Sequence, residues 1–479
     1  MNKMKIRIFP IILLSLIFTG SAGAQTKLAS IFTDNMLLQQ KETVNIWGWD
    51  KAGQKITIGT SWNHKTYTGI TSQQGKWSIK INTPAAAKQN YEITVSNGKT
   101  LILRNILIGE VWLCTGQSNM EMPLKGFKGQ PITGSNELIL KSADPYIRLY
   151  TVPRSSITTE QENSKPSSWK LAGPEAVASF SATGYIFGKL LREMLDIPVG
   201  LVNVSYGGSS AQAWMSAATL KEQFPTIKIP AEKDTIKLAS RTPTTLYNGM
   251  IHPVIDYGVR GAIFYQGESN YEDPDLYEKL FPALVREWRT EWKNDFPFYY
   301  AQIAPYNYKQ LPPNLEGGKY NSAYLREVQR RSVAQIPGSA MAVLMDIGEE
   351  KSIHPMNKEA GGKRLALLAL ANTYGLKGFG SESPAYQSAE TTGTSITVKF
   401  AHAENGLTTF GKELTQFEIA GADKVFHPAK ALIKAESVVV SAAGVANPVA
   451  VRYAFRDFVV GSLYNTEGLP ASSFRTDNW

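Results

Sequence analysis

A single cysteine, Cys114, stands in 479 residues, which excludes any intrachain disulfide and any cysteine-built metal site. Histidine is nearly as scarce, at five. Dense runs of one charge are missing too. The formal net charge is +9, and Lys3, Lys5 and Arg7 contribute three of those charges within the first seven residues, leaving +6 for the rest. So modest and scattered an excess argues against nucleic acid as a partner. No apolar run is long enough for an ordinary membrane span. The longest candidate, Ile11 to Phe18, follows that basic start and precedes Ala22-Gly23-Ala24, so residues 1–24 read as a secretory signal peptide. No cysteine follows to carry a lipid anchor. Nothing in the sequence calls for a metal or an organic cofactor. A secreted or periplasmic chain with no membrane span after cleavage is expected.

What is present is 43% hydrophobic and 19% charged, ordinary values for a globular protein. From residue 25 to about 107, short runs such as Thr43–Trp49 and Lys55–Gly59 alternate with turns, and Asn97-Gly98 is a hairpin signal. This part reads as a β-sandwich. Between about 108 and 380, strands such as Val199–Val204 alternate with helical patterns at Leu276–Trp292 and Lys363–Tyr374. That alternation implies a mainly parallel sheet with flanking helices. From 381 to 479 the pattern returns to β, including Ser395–Phe400 and Val449–Val460. Two polar stretches, 220–243 and 305–322, read as surface excursions that rim a site.

Three apolar strands in the middle part end in polar turns. Val111-Trp112-Leu113-Cys114 runs into Thr115-Gly116-Gln117-Ser118-Asn119-Met120; Ile263-Phe264-Tyr265 runs into Gln266-Gly267-Glu268-Ser269-Asn270; Ala342–Asp346 leads through a loop to His354. A hydroxyl on a strand-turn-helix, beside free backbone N–H groups, suits a serine nucleophile and its oxyanion hole. The familiar G-x-S-x-G elbow is not met, because Met120 replaces its second glycine. Ligands of open α/β sheets bind beyond the carboxyl ends of strands, so the three turns can share one crevice. A serine nucleophile needs a base. His64, His402 and His427 fall in the β parts, and His252 follows an apolar segment expected to pack in the core. His354 alone follows a sheet strand through a polar loop. Cys114, on an apolar strand, reads as a packing residue.

Those three blocks, with Ser205-Tyr206-Gly207-Gly208-Ser209, the Ile353–Lys358 segment and the tail Asn465–Ser472, resemble the sialate O-acetylesterase family of SGNH hydrolases, in family order across most of residues 28–475. The resemblance implies a flavodoxin-like α/β core with a parallel sheet, flanked by N-terminal and C-terminal β-sandwich-like parts. It implies a serine acyl-enzyme mechanism on O-acetylated sugars, with Ser118 as nucleophile and His354 as base. Enzymes of that type often carry Asp three residues before the histidine, where this chain has Lys351. Asp346 is then the candidate acid, with Glu349 and Glu350 as looser options, and a Ser-His dyad oriented by a backbone carbonyl stays open. The N–H groups of Ser118 and Gly207 and the amide of Gln266 are the expected oxyanion donors; Gln117, Asn119, Glu268 and Asn270 are expected to support the site or meet substrate. Arg326 has the fork to hold a substrate carboxylate, against a helix-surface ion pair. Trp214 is read as packing under the glycine loop, with stacking on a sugar as the other option. Three functions remain: removal of O-acetyl groups from sialic acids, deacetylation of a plant polysaccharide such as xylan, and noncatalytic glycan binding.

Overall fold

The structure is a computed structural model that describes Met1 and residues 25–311, 318–319 and 321–479. The signal-peptide expectation and part of the 305–322 stretch lie outside the described residues. Among the described residues, no helix is long and apolar enough to cross a membrane.

One strand, Thr100–Gly116, organises the molecule. Its first half pairs antiparallel with Ala87–Ser96 across the Asn97-Gly98 turn, within a β-sandwich whose other sheet holds Lys27–Leu28, Thr43–Trp49 and Lys76–Asn82. Its second half enters the middle of the α/β sheet. There it pairs parallel with Val199–Ser205 on one side and Gly261–Tyr265 on the other. The expected boundary at 107/108 thus falls inside a continuous strand. Phe298–Ala301 and Ser339–Ala342 extend the sheet in parallel beyond Gly261–Tyr265. Asp144–Thr151 extends it beyond Val199–Ser205, with Lys170–Ala172 antiparallel at the edge.

Both faces of this sheet are covered, which is why its strands read as unbroken apolar runs. Side chains alternate between the faces. Trp112, Cys114, Ile263, Tyr265 and Tyr299 face the helices Ala182–Leu195 and Lys358–Asn372, with Phe187 edge-on to Trp112 at 5.0 Å. Leu113, Phe264, Phe298 and Tyr300 belong to the opposite core with Phe281 and Trp288 of Pro274–Trp292. The expected helices are present, longer at their N-terminal ends because Asp273 and Asn357 cap them.

The chain leaves the Thr100–Gly116 strand to one side of the sheet first and later to the other. The sheet therefore opens at the end of that strand, the usual position of a crevice in such folds. The C-terminal part carries two four-stranded sheets. Of the Val449–Val460 stretch only Ala450–Tyr453 is strand. Ser472 and Ser473 dock this part on the sheet domain by bonding Gln302 and Arg326.

Candidate active site

Gly116 makes the nucleophile turn possible. Its φ is 133°, and a Cβ there would lie 2.2 Å from Tyr265 O, so no other residue fits. Ser118 then opens the short helix Ser118–Glu121. Met120, in the place of the second elbow glycine, is fully buried in the core under Ala182–Leu195, and its carbonyl accepts from Ser181 Oγ at 2.5 Å. A large apolar residue is accommodated because the helix packs on it where a tighter elbow would need close backbone approach.

The Oγ of Ser118 lies 2.8 Å from His354 Nε2. On the far side of the ring, Nδ1 lies 2.5 Å from Gln130 Oε1. An amide oxygen only accepts, so Nδ1 carries the proton and Nε2 presents a lone pair to the serine. Phe127 meets the imidazole edge-on at 5.5 Å. Burial, and secondarily the charge of Lys358, push His354 down to about 4, so the ring is neutral at neutral pH and free to accept a proton.

Asp346 is not the partner of this histidine, contrary to the sequence expectation. The strand is Ser339–Ala342, so Asp346 lies in the turn after it, and both its oxygens are held by Arg364, at 2.7 and 2.6 Å, in a largely buried bidentate pair that ties this turn to the helix Lys358–Asn372. Glu349 accepts the Met356 N–H at 2.6 Å and braces the histidine loop, while the Glu350 carbonyl accepts from Asn307 N and Gln310 Nε2. Gln130, which does face the ring, lies 224 positions away in a loop with no motif.

The expected oxyanion donors fare unevenly. Among the described residues, the Ser118 N–H meets no acceptor. The Gly207 N–H is engaged, donating to Glu121 Oε2 at 2.7 Å. Gln266 is turned inward. It is fully buried, and its Nε2 donates to Ser209 O (3.1 Å) and Asn270 Oδ1 (2.8 Å), so its amide is not offered to a substrate. Gly267, at φ 154°, makes this reversal; a Cβ there would strike Ile303, Gln329 and Leu325 at about 3 Å.

The remaining polar residues bind the three loops together. Gln117 Oε1 accepts from the N–H groups of Gly267 (3.3 Å) and Ser269 (3.2 Å). Asn119 Nδ2 donates to Glu268 Oε1 (2.5 Å) and to Ile353 O (3.0 Å), beside the histidine. Lys358 Nζ donates to Asn119 Oδ1. Burial pushes Glu268 up and Lys358 down to about 7. Asn270 Oδ1 also accepts from Ala211 N at 2.9 Å, joining the glycine loop. Of the two polar stretches, 220–243 reaches that loop through Ser240, whose carbonyl accepts from Ser210 N.

Arg326 does not line the site. It is fully buried, and its guanidinium bonds Ser322, Ser473 and the carbonyls of Arg456 and Asp457. It fastens the C-terminal part to the sheet domain. Trp214 is fully buried with Nε1 on Ser209 Oγ at 2.8 Å, a packing residue. Burial pushes the Cys114 thiol up, so it is inert. His252 bonds Gln161 O at 2.9 Å, and His402 pairs with Glu382 at 2.8 Å in the C-terminal part. Among the described residues no His/Cys/Asp/Glu cluster suits a metal.

Residues 108–360, which hold all these loops, match the family described as carbohydrate esterase, sialic acid-specific acetylesterase. The chain belongs to that family. It is an esterase. It is 30% identical to the human sialate O-acetylesterase over 76% of this chain and 74% of that protein, and 29% identical to the mouse enzyme over 79% of each. The crystal structure of a carbohydrate acetylesterase from Xanthomonas citri superposes with a TM-score of 0.84 at 34% identity, covering 95% of this chain and all of that one.

Proposed function

We propose that this esterase removes O-acetyl groups from sialic acids through an acetyl-serine intermediate. The observation that carries the reading is the Ser118–His354–Gln130 relay, with 2.8 Å from hydroxyl to Nε2 and the Nδ1 proton fixed on an amide oxygen. Family membership and likeness to the human and mouse enzymes support the substrate class. An intact relay favours an enzyme over a noncatalytic glycan-binding protein.

In the proposed mechanism Ser118 Oγ attacks the acetyl carbonyl carbon and its proton passes to His354 Nε2. The tetrahedral oxyanion is received by the Ser118 N–H and by the Gly207 N–H once Glu121 yields it. Collapse expels the sugar oxygen, which takes the proton from Nε2. Water then attacks the acetyl-serine with His354 as base, and acetate leaves. Gln130 keeps the imidazole in the productive tautomer but brings no negative charge to stabilise imidazolium, so this is a dyad with a neutral orienter. Gln117, Asn119, Glu268 and Asn270 act as scaffolding, and no cofactor enters.

The core is read as an SGNH hydrolase. The parallel strands from Asp144–Thr151 to Ser339–Ala342 run in the order 2-3-1-4-5-6; the five without Asp144–Thr151 follow the flavodoxin-like 2-1-3-4-5, with Ser118 at the switch point. The chain is divided at about 107 and 380 into three parts, and residues 1–24 are taken as a signal for secretion or periplasmic delivery. Acetylated plant polysaccharide stays as a second substrate reading, with which likeness to the Xanthomonas citri carbohydrate acetylesterase is also compatible. Acetate release from O-acetylated sialosides and from acetylated xylo-oligosaccharides, measured side by side, tests the proposal. Preference for the sialosides is expected; turnover of the xylo-oligosaccharides alone would replace it.

A further inference from the structure

Sialic acids differ from the xylose units of a xylan backbone in bearing a carboxylate on the ring. Arg326, the sequence candidate for that group, is sealed in the protein. A different arginine stands at the mouth. A Cβ built on Gly207 would lie 3.5 Å from Ser118 Cβ, 3.0 Å from Glu121 Oε2 and 3.6 Å from Arg154 Nη2, so nucleophile, glycine loop, carboxylate and guanidinium surround one point.

Arg154 is held in place on several sides. Its Nε and Nη2 donate to the two Glu121 oxygens at 2.5 and 2.6 Å. Its guanidinium lies over the Tyr206 ring, 4.5 Å from the centroid. Its carbonyl is fixed by Lys165 Nζ at 2.8 Å. Yet the side chain stays 54% exposed, whereas Glu121 is only 16% exposed. Glu121 takes one edge of the guanidinium. Among the described residues Nη1 has no acceptor, and with the side chain half exposed the other edge, Nη1 with the second Nη2 hydrogen, is open to a ligand. A lone exposed arginine spends much of its side-chain freedom when it binds; one clamped by a carboxylate and a ring has already lost it.

We propose that Arg154 binds the carboxylate of the substrate through that outer edge and so selects acidic O-acetylated sugars over neutral ones. The proposal rests on the sialic acid reading above. Glu121 and Tyr206 are positioning residues that hold the fork. Binding involves no bond making; the ester reaches Ser118 while the ring carboxylate rests on Nη1 and Nη2.

The test uses the full-length enzyme, an O-acetylated sialic acid, and the same compound as its carboxyl methyl ester, which keeps shape and loses charge. The readout is the ratio of kcat/KM for acid over methyl ester, which a general loss of folded enzyme leaves unmoved. For the wild type this ratio should be about 10–100, the range of a charge-assisted bidentate contact. In Arg154→Gln it should fall close to one, chiefly through KM for the acid. Arg154→Lys, with charge but no fork, should fall between. A wild-type ratio near one, or a high ratio kept in Arg154→Gln, overturns the proposal and leaves the sialic acid reading standing. Hydrolysis of 4-nitrophenyl acetate with no release of acetate from either sialic compound overturns both.

Discussion

The Nδ1 of His354 faces Gln130 Oε1 at 2.5 Å, where a charged carboxylate would complete a familiar triad. A neutral amide fixes the tautomer as an acid would, but it leaves the imidazolium formed during acyl transfer without a counter-charge. The properties of this esterase should follow from that substitution.

Gln130→Ala should lower kcat by roughly 10-fold or more, because the ring loses its orientation while Ser118 keeps its place. Gln130→Glu supplies the missing charge. It should raise the acid limb of the kcat/KM profile, since an adjacent anion favours imidazolium. Profiles of the two variants in parallel decide the point; a limb that stays put in Gln130→Glu would remove Gln130 from contact with the base.

The wild-type acid limb should itself lie well below the ordinary histidine value. Burial first, and then the cation Lys358, hold His354 down to about 4. The base is active when neutral, so kcat/KM should persist as pH falls through 6 and fail only near 4. Lys358→Met removes a positive charge that opposes protonation, so its limb should move up. Unchanged limbs in that variant would mean that Lys358 acts only by anchoring Asn119.

Asp346→Asn separates structure from catalysis. Breaking its largely buried pair with Arg364 should cost on the order of 3 kcal/mol of stability. Turnover per folded molecule should stay within a few-fold of wild type. Urea melts with active-site titration measure both. A kcat loss of about 10³-fold or more in a folded variant would restore Asp346 as the acid.

Glu121→Gln addresses the engaged donor. A carboxylate on the Gly207 N–H opposes a second negative charge at the same place, so removing it should raise kcat/KM for a neutral ester such as 4-nitrophenyl acetate by roughly threefold or more. A fall of that size would indicate that Glu121 does not compete with the oxyanion.

Sequence made Ser118 and His354 legible because each follows a sheet strand, Ser118 directly and His354 through a polar loop after Ser339–Ala342, where a sheet of this kind opens. Val199–Ser205 and Pro274–Trp292 were legible for the same reason: apolar runs and periodicity are local. What escaped was set by loops meeting across the fold. Gln130 reaches His354 from a glycine-punctuated loop, and nothing nearby in sequence marks that amide as different from any surface glutamine. Arg154 lies 33 residues from Glu121, in the loop after the strand Asp144–Thr151. Asp346 had the position of a triad acid, but Arg364 stands nearly two turns along the following helix and captures it. Gln266 had the position of an oxyanion amide until the backbone at Gly267 turned it into the core. Arg326 had the right chemistry and the wrong side of its helix.

The central claim is that Ser118 carries the acetyl group. Rates of acetate release from an O-acetylated sialic acid, for the wild type and Ser118→Ala at matched circular dichroism, test it most directly. The account predicts steady release by the wild type and a loss of about 10³–10⁶-fold in the variant, the range seen when a serine nucleophile is removed. A folded Ser118→Ala enzyme that still releases acetate within a few-fold of the wild-type rate would contradict it.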